Sequence, residues 1–470
     1  MKIAFMHYHL KPGGVTTCLK QQVHALKDDC ALLVITGEMP ADGIQTDTVI
    51  IPELAYSAVH PGAFHARDAA SAIMDAIHTR FNGPCDVLHV HNPMLAKNRK
   101  LLQILKALQK KGVCLLLQAH DFAEDGRPLS YYNEDYLQDC HYGVVNSRDY
   151  NILLKSGLKK DGLHLIFNTL KLPEIEADSG TQGAEVVYPV RAIRRKNIGE
   201  AMLLSLFFKS GDALVITLPP NSPADIESYE GWKAFAAEHR LNVEFERGLN
   251  QPFEAIVRSA RFILTTSITE GFGFAFLEPW LFNKWVWGRK LDDICADFEA
   301  GGIVLDHMYG ELNVPLDWIG SHDFFEKWNR TILRVCRWFD FQIPKNRIQS
   351  VYGILTARGT IDFGLLDEAF QQKVIGRLLA ETADRKQMSL LNPHLSTIGR
   401  RPHATDVIRS NRTAVLRHYS TELCRQKLLN TYRQVAATAV RQRIDKKKLL
   451  AEFLNLHKFS LLKWGDYGAG

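Results

Sequence analysis

The sequence lacks several features that would assign it quickly. No run of about 18 apolar residues occurs, so no membrane-spanning helix is expected. The cysteines, Cys18, Cys30, Cys85, Cys114, Cys140, Cys295, Cys336 and Cys424, are scattered, with no CxxC pair. That spacing excludes a zinc ribbon and a disulfide framework, and reads as free thiols in a reducing compartment. The opening MKIAFMHYHL is a short strand pattern without the apolar core and cleavage site of a secretory signal, so the expected location is cytoplasmic. Charge is also modest. A net charge of +5 and a sequence pI near 8.6 announce no nucleic-acid partner, but suit a small anionic ligand. Low-complexity segments and the GxGxxG dinucleotide fingerprint are missing as well.

What is present is alternation. KIAFM (2–6), CALLVI (30–35), DVLHV (86–90), VCLLLQ (113–118) and YGVVN (142–146) read as buried strands, and 15–27, 64–80, 97–111 and 147–156 as the helices between them. Strands alternating with helices of this length predict a parallel sheet covered on both faces. LPEIEADSGTQG (172–183) breaks the pattern and reads as a linker. The alternation restarts with strands at 184–190, 212–218, 242–245 and 261–266, and helices at 197–208, 224–239, 252–259 and 273–282. The expectation is therefore α/β: two Rossmann-like, doubly wound domains at 1–172 and 184–340, followed by a helical extension, 341–470. Segments 324–339 and 361–387 read as amphipathic helices. The basic end, VRQRIDKKKLLAEFLNLHKFSLLKW, is expected to pack back on the core; the alternative is an interfacial helix on a membrane surface.

Three stretches carry the chemistry. HLKPGGVTT (9–17) joins the first strand to the first helix, and Gly13 and Gly14 allow close approach to a ligand at a helix N-terminus. YPVRAIRRKNI (188–198) follows the first strand of the second domain, at the edge where doubly wound folds bind ligands. Arg191 offers a planar fork of donors and Lys196 a compact charge, a pair suited to a diphosphate. TTSITEGFGFAFLEP (265–279) places Glu270 and Glu278 around a glycine-punctuated, apolar segment. Carboxylates beside phosphate are costly unless hydroxyls donate to them, and sugars supply hydroxyls. Cations for a diphosphate and carboxylates for hydroxyls point to a nucleotide sugar. The Phe272, Phe274, Phe276 alternation reads as a loop entering a helix, with the rings as packing.

RAIRRKNI and EGFGFAFLE match the Arg-x4-Lys-Asn and Glu-x7-Glu motifs of a known family. Over residues 1–310 the chain resembles family 4 of the glycosyltransferases, retaining enzymes of the GT-B fold, and most of all its sucrose-phosphate-synthase-like group. The resemblance implies two domains facing across a cleft. It implies that Arg191 and Lys196 hold the diphosphate of the leaving nucleotide. Glu270 would receive donor-sugar hydroxyls and Glu278 the ribose hydroxyls. Gly271, Phe272, Gly273 and Phe274 would offer backbone donors. Gly13 and Gly14 would lie beside the diphosphate, and His120 near the sugar's C6 hydroxyl. Leu249, in RGL, would lie beside the base, and His91, Asn92 and Asp121 would line the acceptor side.

The expected activity is transfer of a hexose from a UDP-, GDP- or ADP-linked donor to a small polar acceptor, a sugar phosphate or glycerate-like compound, with no cofactor and no metal. A phosphorylase of the same fold, a membrane-associated lipid glycosyltransferase and a non-catalytic nucleotide-sugar-binding partner are the alternatives. His89 and His91 share one strand face, but no further ligand stands at metal-site spacing. The segments IFNTLKLPE and WLFNKWVWGRK depart from the family's wording and leave the acceptor open.

Overall fold

A computed structural model describes all residues except 41–42, 60–61, 63, 171, 174–182, 401–402 and 466–470. Most of the expected linker, 172–183, thus lies outside the described residues. The chain forms two compact units: Met1–Lys171 with Arg417–Leu454, and Leu172–Leu416 with Asn455–Gly470.

The first unit is built on a parallel sheet of β1 (Lys2–His7), β2 (Ala31–Thr36), β3 (Thr48–Ile50), β4 (Val87–His91), β5 (Leu115–Ala119), β6 (His141–Val144) and β7 (Leu163–Leu165), in the order β3-β2-β1-β4-β5-β6-β7. Its central strands are buried from end to end, which is why they read as unbroken apolar runs rather than alternating ones. Helices Gly14–Leu26, Ala66–Phe81, Leu101–Lys110 and Ser147–Lys155 lie within two residues of expectation at most ends. The helix at 101 starts later than the expected 97, because residues 97–100 belong to a turn. The order reverses between β1 and β4, so the carboxyl ends carrying His7 and His91 flank the switch point where such sheets hold ligands.

The second unit has β8 (Glu185–Arg191), β9 (Ala213–Leu218), β10 (Val243–Phe245), β11 (Ala260–Thr265) and β12 (Val286–Gly288), all parallel, in the order β10-β9-β8-β11-β12. Here the reversal lies between β8 and β11, the strands that lead into the two motifs. A small antiparallel pair, β13 (Asn313–Pro315) with β14 (Thr360–Asp362), stands apart from the sheet.

Two helical expectations change. The long helix at 361–387 is β14, a tight turn and two helices, Glu368–Ala380 and Thr382–Leu391. Asp367 caps the first of these by accepting from Phe370 N, and Glu381 interrupts with extended dihedrals. The basic end is likewise broken into Lys446–Phe453, a turn at Leu456–Lys458 and Leu461–Trp464. Its apolar side chains Leu449, Leu450, Phe453, Leu456, Phe459 and Trp464 are buried in the protein. No described helix is long and apolar enough to cross a membrane.

Candidate active site

The site in the second unit starts from the ladder between β8 and β11. Their parallel pairing (Val186 with Phe262, Val187 with Ile263) sets the two following loops side by side. The register of β8 against β9 slips between Tyr188 and Arg191, which turns Arg191 at the strand end, where its Nη1 donates to the Pro219 carbonyl at 3.0 Å. The chain then makes a tight turn, Arg194–Lys196, and passes through Asn197 in the left-handed region (φ 51°) into helix Ile198–Ser205. Tyr188 Oη donates to the Lys196 carbonyl at 2.6 Å, and Thr266 Oγ1 donates to the Asn197 carbonyl at 3.0 Å. Ile268 N donates to the Arg195 carbonyl at 3.0 Å. The two motif loops are therefore bolted together through main-chain groups.

One cavity of about 170 Å³ results. Arg191, Lys196, Glu270, Phe274 and Glu278 line it, with Pro189, Val190, Phe253, Val257, Ala275 and Pro279 as its less polar walls. Lys196 Nζ is ion-paired with Glu270 Oε1, both side chains being largely buried. Burial raises the Glu270 carboxyl, but the Lys196 ammonium, the Ser267 hydroxyl and Arg195 outweigh it and leave the group below its ordinary value. Glu278 has no such compensation, and burial alone pushes it up to about 7. Two carboxyls in one cavity are thus shifted in opposite directions.

The other expected donor-side residues separate. Phe272 is buried, packing edge-on against Phe274 and Phe298 at centroid distances of 5.0 and 5.9 Å. Leu249 is 60% exposed on the turn Arg247–Leu249 and does not line the cavity. Gly271 and Gly273 are also outside its lining. The expected helix 273–282 is a tight turn, Phe274–Phe276, and a four-residue helix, Glu278–Leu281. Left-handed Gly273 (φ 96°) and Pro279, which lacks an N–H, prevent a continuous helix there. Glu278 begins the short helix instead of lying two turns into a long one.

In the first unit, Gly13 and Gly14 precede and open helix Gly14–Leu26. A Cβ at Gly14 would meet nothing, so the protein's own packing does not demand glycine there. Asn92, left-handed at φ 58°, accepts from His120 N at 3.3 Å and Asp121 N at 3.0 Å, joining the ends of β4 and β5. Asp121 is ion-paired with Arg127 at 2.6 Å. His91 Nδ1 and His120 Nε2 lie 3.0 Å apart. Burial pushes His120 down to about 4 and His91 well below its ordinary range, so both rings are neutral and share one proton. His89 and His91 stack at 4.5 Å, the shared strand face read from the sequence.

Cys18, His91 and His120 do bring ligand atoms within 4.8 Å of one another, a grouping that chain spacing did not reveal. The His91 and His120 rings are tilted by only 18°, with centroids 5.2 Å apart, and point nitrogen to nitrogen. Cys18 Sγ donates to Asn168 Oδ1 at 3.0 Å. As it stands the two rings are hydrogen-bonded to each other, and Cys18 to Asn168 and Gln22.

Sequence reasoning missed Tyr188, Ser267 and the residues that hold Asn197. None carries a motif signal, since the contacts that join the two loops, Tyr188 with Ser267 and Asn197 with Thr266, are between residues far apart in the chain.

No family model matches the chain. Its sequence is 26% identical over 427 residues, 82% of either chain, to the mannosylglucosyl-3-phosphoglycerate synthase of Petrotoga mobilis. Among solved structures, it is similar to a glycosyltransferase from Rickettsia africae (TM-score 0.55, 12% identity, 93% of this chain and 99% of that one). It is also similar to Anabaena HepE in complex with UDP and glucose (TM-score 0.53, 11% identity, 92% and 99%). At these identities the structural likeness establishes the fold: two parallel-sheet α/β units of GT-B type, with a helical C-terminal part.

Proposed function

We propose that the protein is a retaining glycosyltransferase that moves a hexose from a nucleotide diphosphate sugar to a hydroxyl of a small, anionic acceptor, a sugar phosphate or glycerate-like compound. The observation that carries this is the joint cavity of Arg191, Lys196, Glu270 and Glu278 at the switch point of the second sheet. HepE, of the same fold, was solved with UDP and glucose, and the Petrotoga relative is named for a phosphoglycerate glycoside. Both support the reading.

Arg191 and Lys196 neutralise the diphosphate as it leaves. Glu270, paired with Lys196 and lining the cavity, accepts from a donor-sugar hydroxyl. Glu278, in its ionised form, accepts the ribose hydroxyls. The acceptor hydroxyl attacks the anomeric carbon on the face the phosphate leaves, and the departing phosphate oxygen takes its proton. Positioning and electrostatic stabilisation then supply the catalysis, with no protein nucleophile and no metal.

The test is a thermal-shift screen with UDP, GDP and ADP, followed by transfer from the matching glucose and mannose donors to 3-phosphoglycerate and glucose 6-phosphate. Product anomer is read by NMR. Stabilisation by one nucleotide and a product that keeps the donor's anomeric configuration are expected. Phosphate-dependent cleavage without nucleotide would establish the phosphorylase instead, and stabilisation without turnover the non-catalytic reading.

A further inference from the structure

The turn that carries Arg191 and Lys196 is held from outside the sheet. Arg194, which opens the tight turn Arg194–Lys196, is 7% exposed, and forms a forked pair with Glu368: Nε to Oε1 at 2.6 Å and Nη2 to Oε2 at 2.8 Å. Glu368 begins helix Glu368–Ala380. Ser228 Oγ also donates to its Oε1 at 2.6 Å, and Arg194 N donates to Asp225 Oδ1 at 3.0 Å. One helical turn on, Gln371 Nε2 donates to Asn197 Oδ1 at 2.8 Å. A Cβ on Gly199 would stand 2.3 Å from both Gln371 Oε1 and the Trp232 ring, so the helix presses directly on the backbone that follows the turn.

Behind this contact lies a second layer. Asn197 Nδ2 donates to Glu200 Oε2 at 2.8 Å. Arg289 donates to both Glu200 oxygens, at 2.8 and 2.7 Å, and to both Asp362 oxygens, at 2.8 Å each. Tyr309 Oη donates to Glu200 Oε1 at 2.6 Å. Asp362 and Glu368 both come from the segment after residue 341, which the two sheets do not need.

We propose that this segment is a positioning clasp for the anion-binding turn, in which Glu368 and Gln371 fix Arg194 and Asn197 so that Arg191 and Lys196 face the cavity before any ligand arrives. The inference rests on the proposed role of Arg191 and Lys196 in binding a diphosphate. A left-handed asparagine between a flexible lysine and a helix is conformationally costly unless its surroundings over-determine it, and the Gln371 amide supplies that constraint. The forked Arg194–Glu368 pair adds direction, because its planar geometry fixes the turn's rotation as well as its position. A turn free to rotate would keep both cations but lose their convergence, and preorganised charge is what makes them effective.

The experiment compares wild type, Glu368→Gln and Gln371→Asn by calorimetric titration with UDP, GDP and ADP and with uridine, guanosine and adenosine. The expected result is that the variants bind the preferred nucleoside diphosphate about tenfold more weakly, while affinity for its nucleoside is unchanged. The charge-swapped double variant Arg194→Glu with Glu368→Arg recovers part of the loss. Equal diphosphate affinity in folded variants overturns the clasp and leaves the proposed function standing. An equal loss of diphosphate and nucleoside overturns it too, since that marks general unfolding rather than positioning. Wild type that binds none of the three diphosphates removes the functional reading itself, and the clasp with it.

Discussion

Replacing Lys196 by alanine tests the electrostatics of the cavity more sharply than it tests activity alone. Glu270 is 8% exposed, and Lys196 is the first of the favourable partners that bring its carboxyl below the ordinary value against the penalty of burial. Without Lys196 the carboxylate keeps the penalty and loses its main compensation. Glu278, in the same cavity with burial as its sole influence, shows the direction such a group takes, being pushed up to about 7. Removing one partner of a buried ion pair leaves the other charge uncompensated and costs about 3 kcal/mol at a pH where Glu270 must be ionised. Residual help from Ser267 and Arg195 makes this an upper figure. The signs are opposite in the two proteins. In wild type the depressed carboxyl contributes stability above the unfolded value, and that contribution is lost as pH falls through the folded one. In the variant a raised carboxyl leaves stability intact at low pH and subtracts from it as pH rises above the unfolded value. Urea unfolding of wild type, Lys196→Ala and Lys196→Ala/Glu270→Gln at pH 5 and pH 8 reads the difference. The single variant should be close to wild type at pH 5, weaker by up to about 3 kcal/mol at pH 8, and rescued at pH 8 by the second substitution. A loss that is the same at both pH values, or that Glu270→Gln fails to restore, refutes the reasoning. Turnover by Lys196→Ala should also fall, by about 10²–10³, the cost of removing one preorganised donor.

Other consequences are as direct. Because burial holds Glu278 at about 7, affinity for the nucleotide should rise between pH 6 and pH 8 as the carboxylate forms. Glu278→Gln should flatten that dependence in a calorimetric titration. Arg289→Met leaves Glu200 and Asp362 as buried, uncompensated carboxylates, and should cost about 3–5 kcal/mol in urea unfolding. Tyr432→Phe removes the partner of His89 Nδ1, 2.9 Å away in the first unit. It should cost about 1–3 kcal/mol, with nucleotide affinity in the second unit unchanged.

Much of the architecture was legible from local pattern. Buried parallel strands must be apolar along their whole length, so β1, β2, β4, β5, β8, β9 and β11 announced themselves, and the two motifs were found because each follows one of those strands. Of the three-residue strands of the two parallel sheets, β10 is legible at 242–245 beside its turn signals, whereas β3, β7 and β12 are too short to show a period. The Gly273–Leu281 segment was misjudged for a related reason: its composition suits a helix, while one left-handed glycine and one proline divide it.

The amino-acid pattern alone was enough to specify two α/β units, the order of their elements and the residue types gathered at one sheet edge. Partner choice was beyond it. That Lys196 pairs with Glu270, that Glu278 stays uncompensated, that His91 meets His120 rather than serving beside His89, and that Glu368 reaches back to Arg194 all depend on contacts between residues far apart in the chain. So does the return of Arg417–Leu454 to the first unit and of the last residues to the second. Periodicity reports which side chains face a core, and it can be read from neighbouring residues. The charge state of a buried group depends on what else is buried beside it, and that is settled when the chain folds.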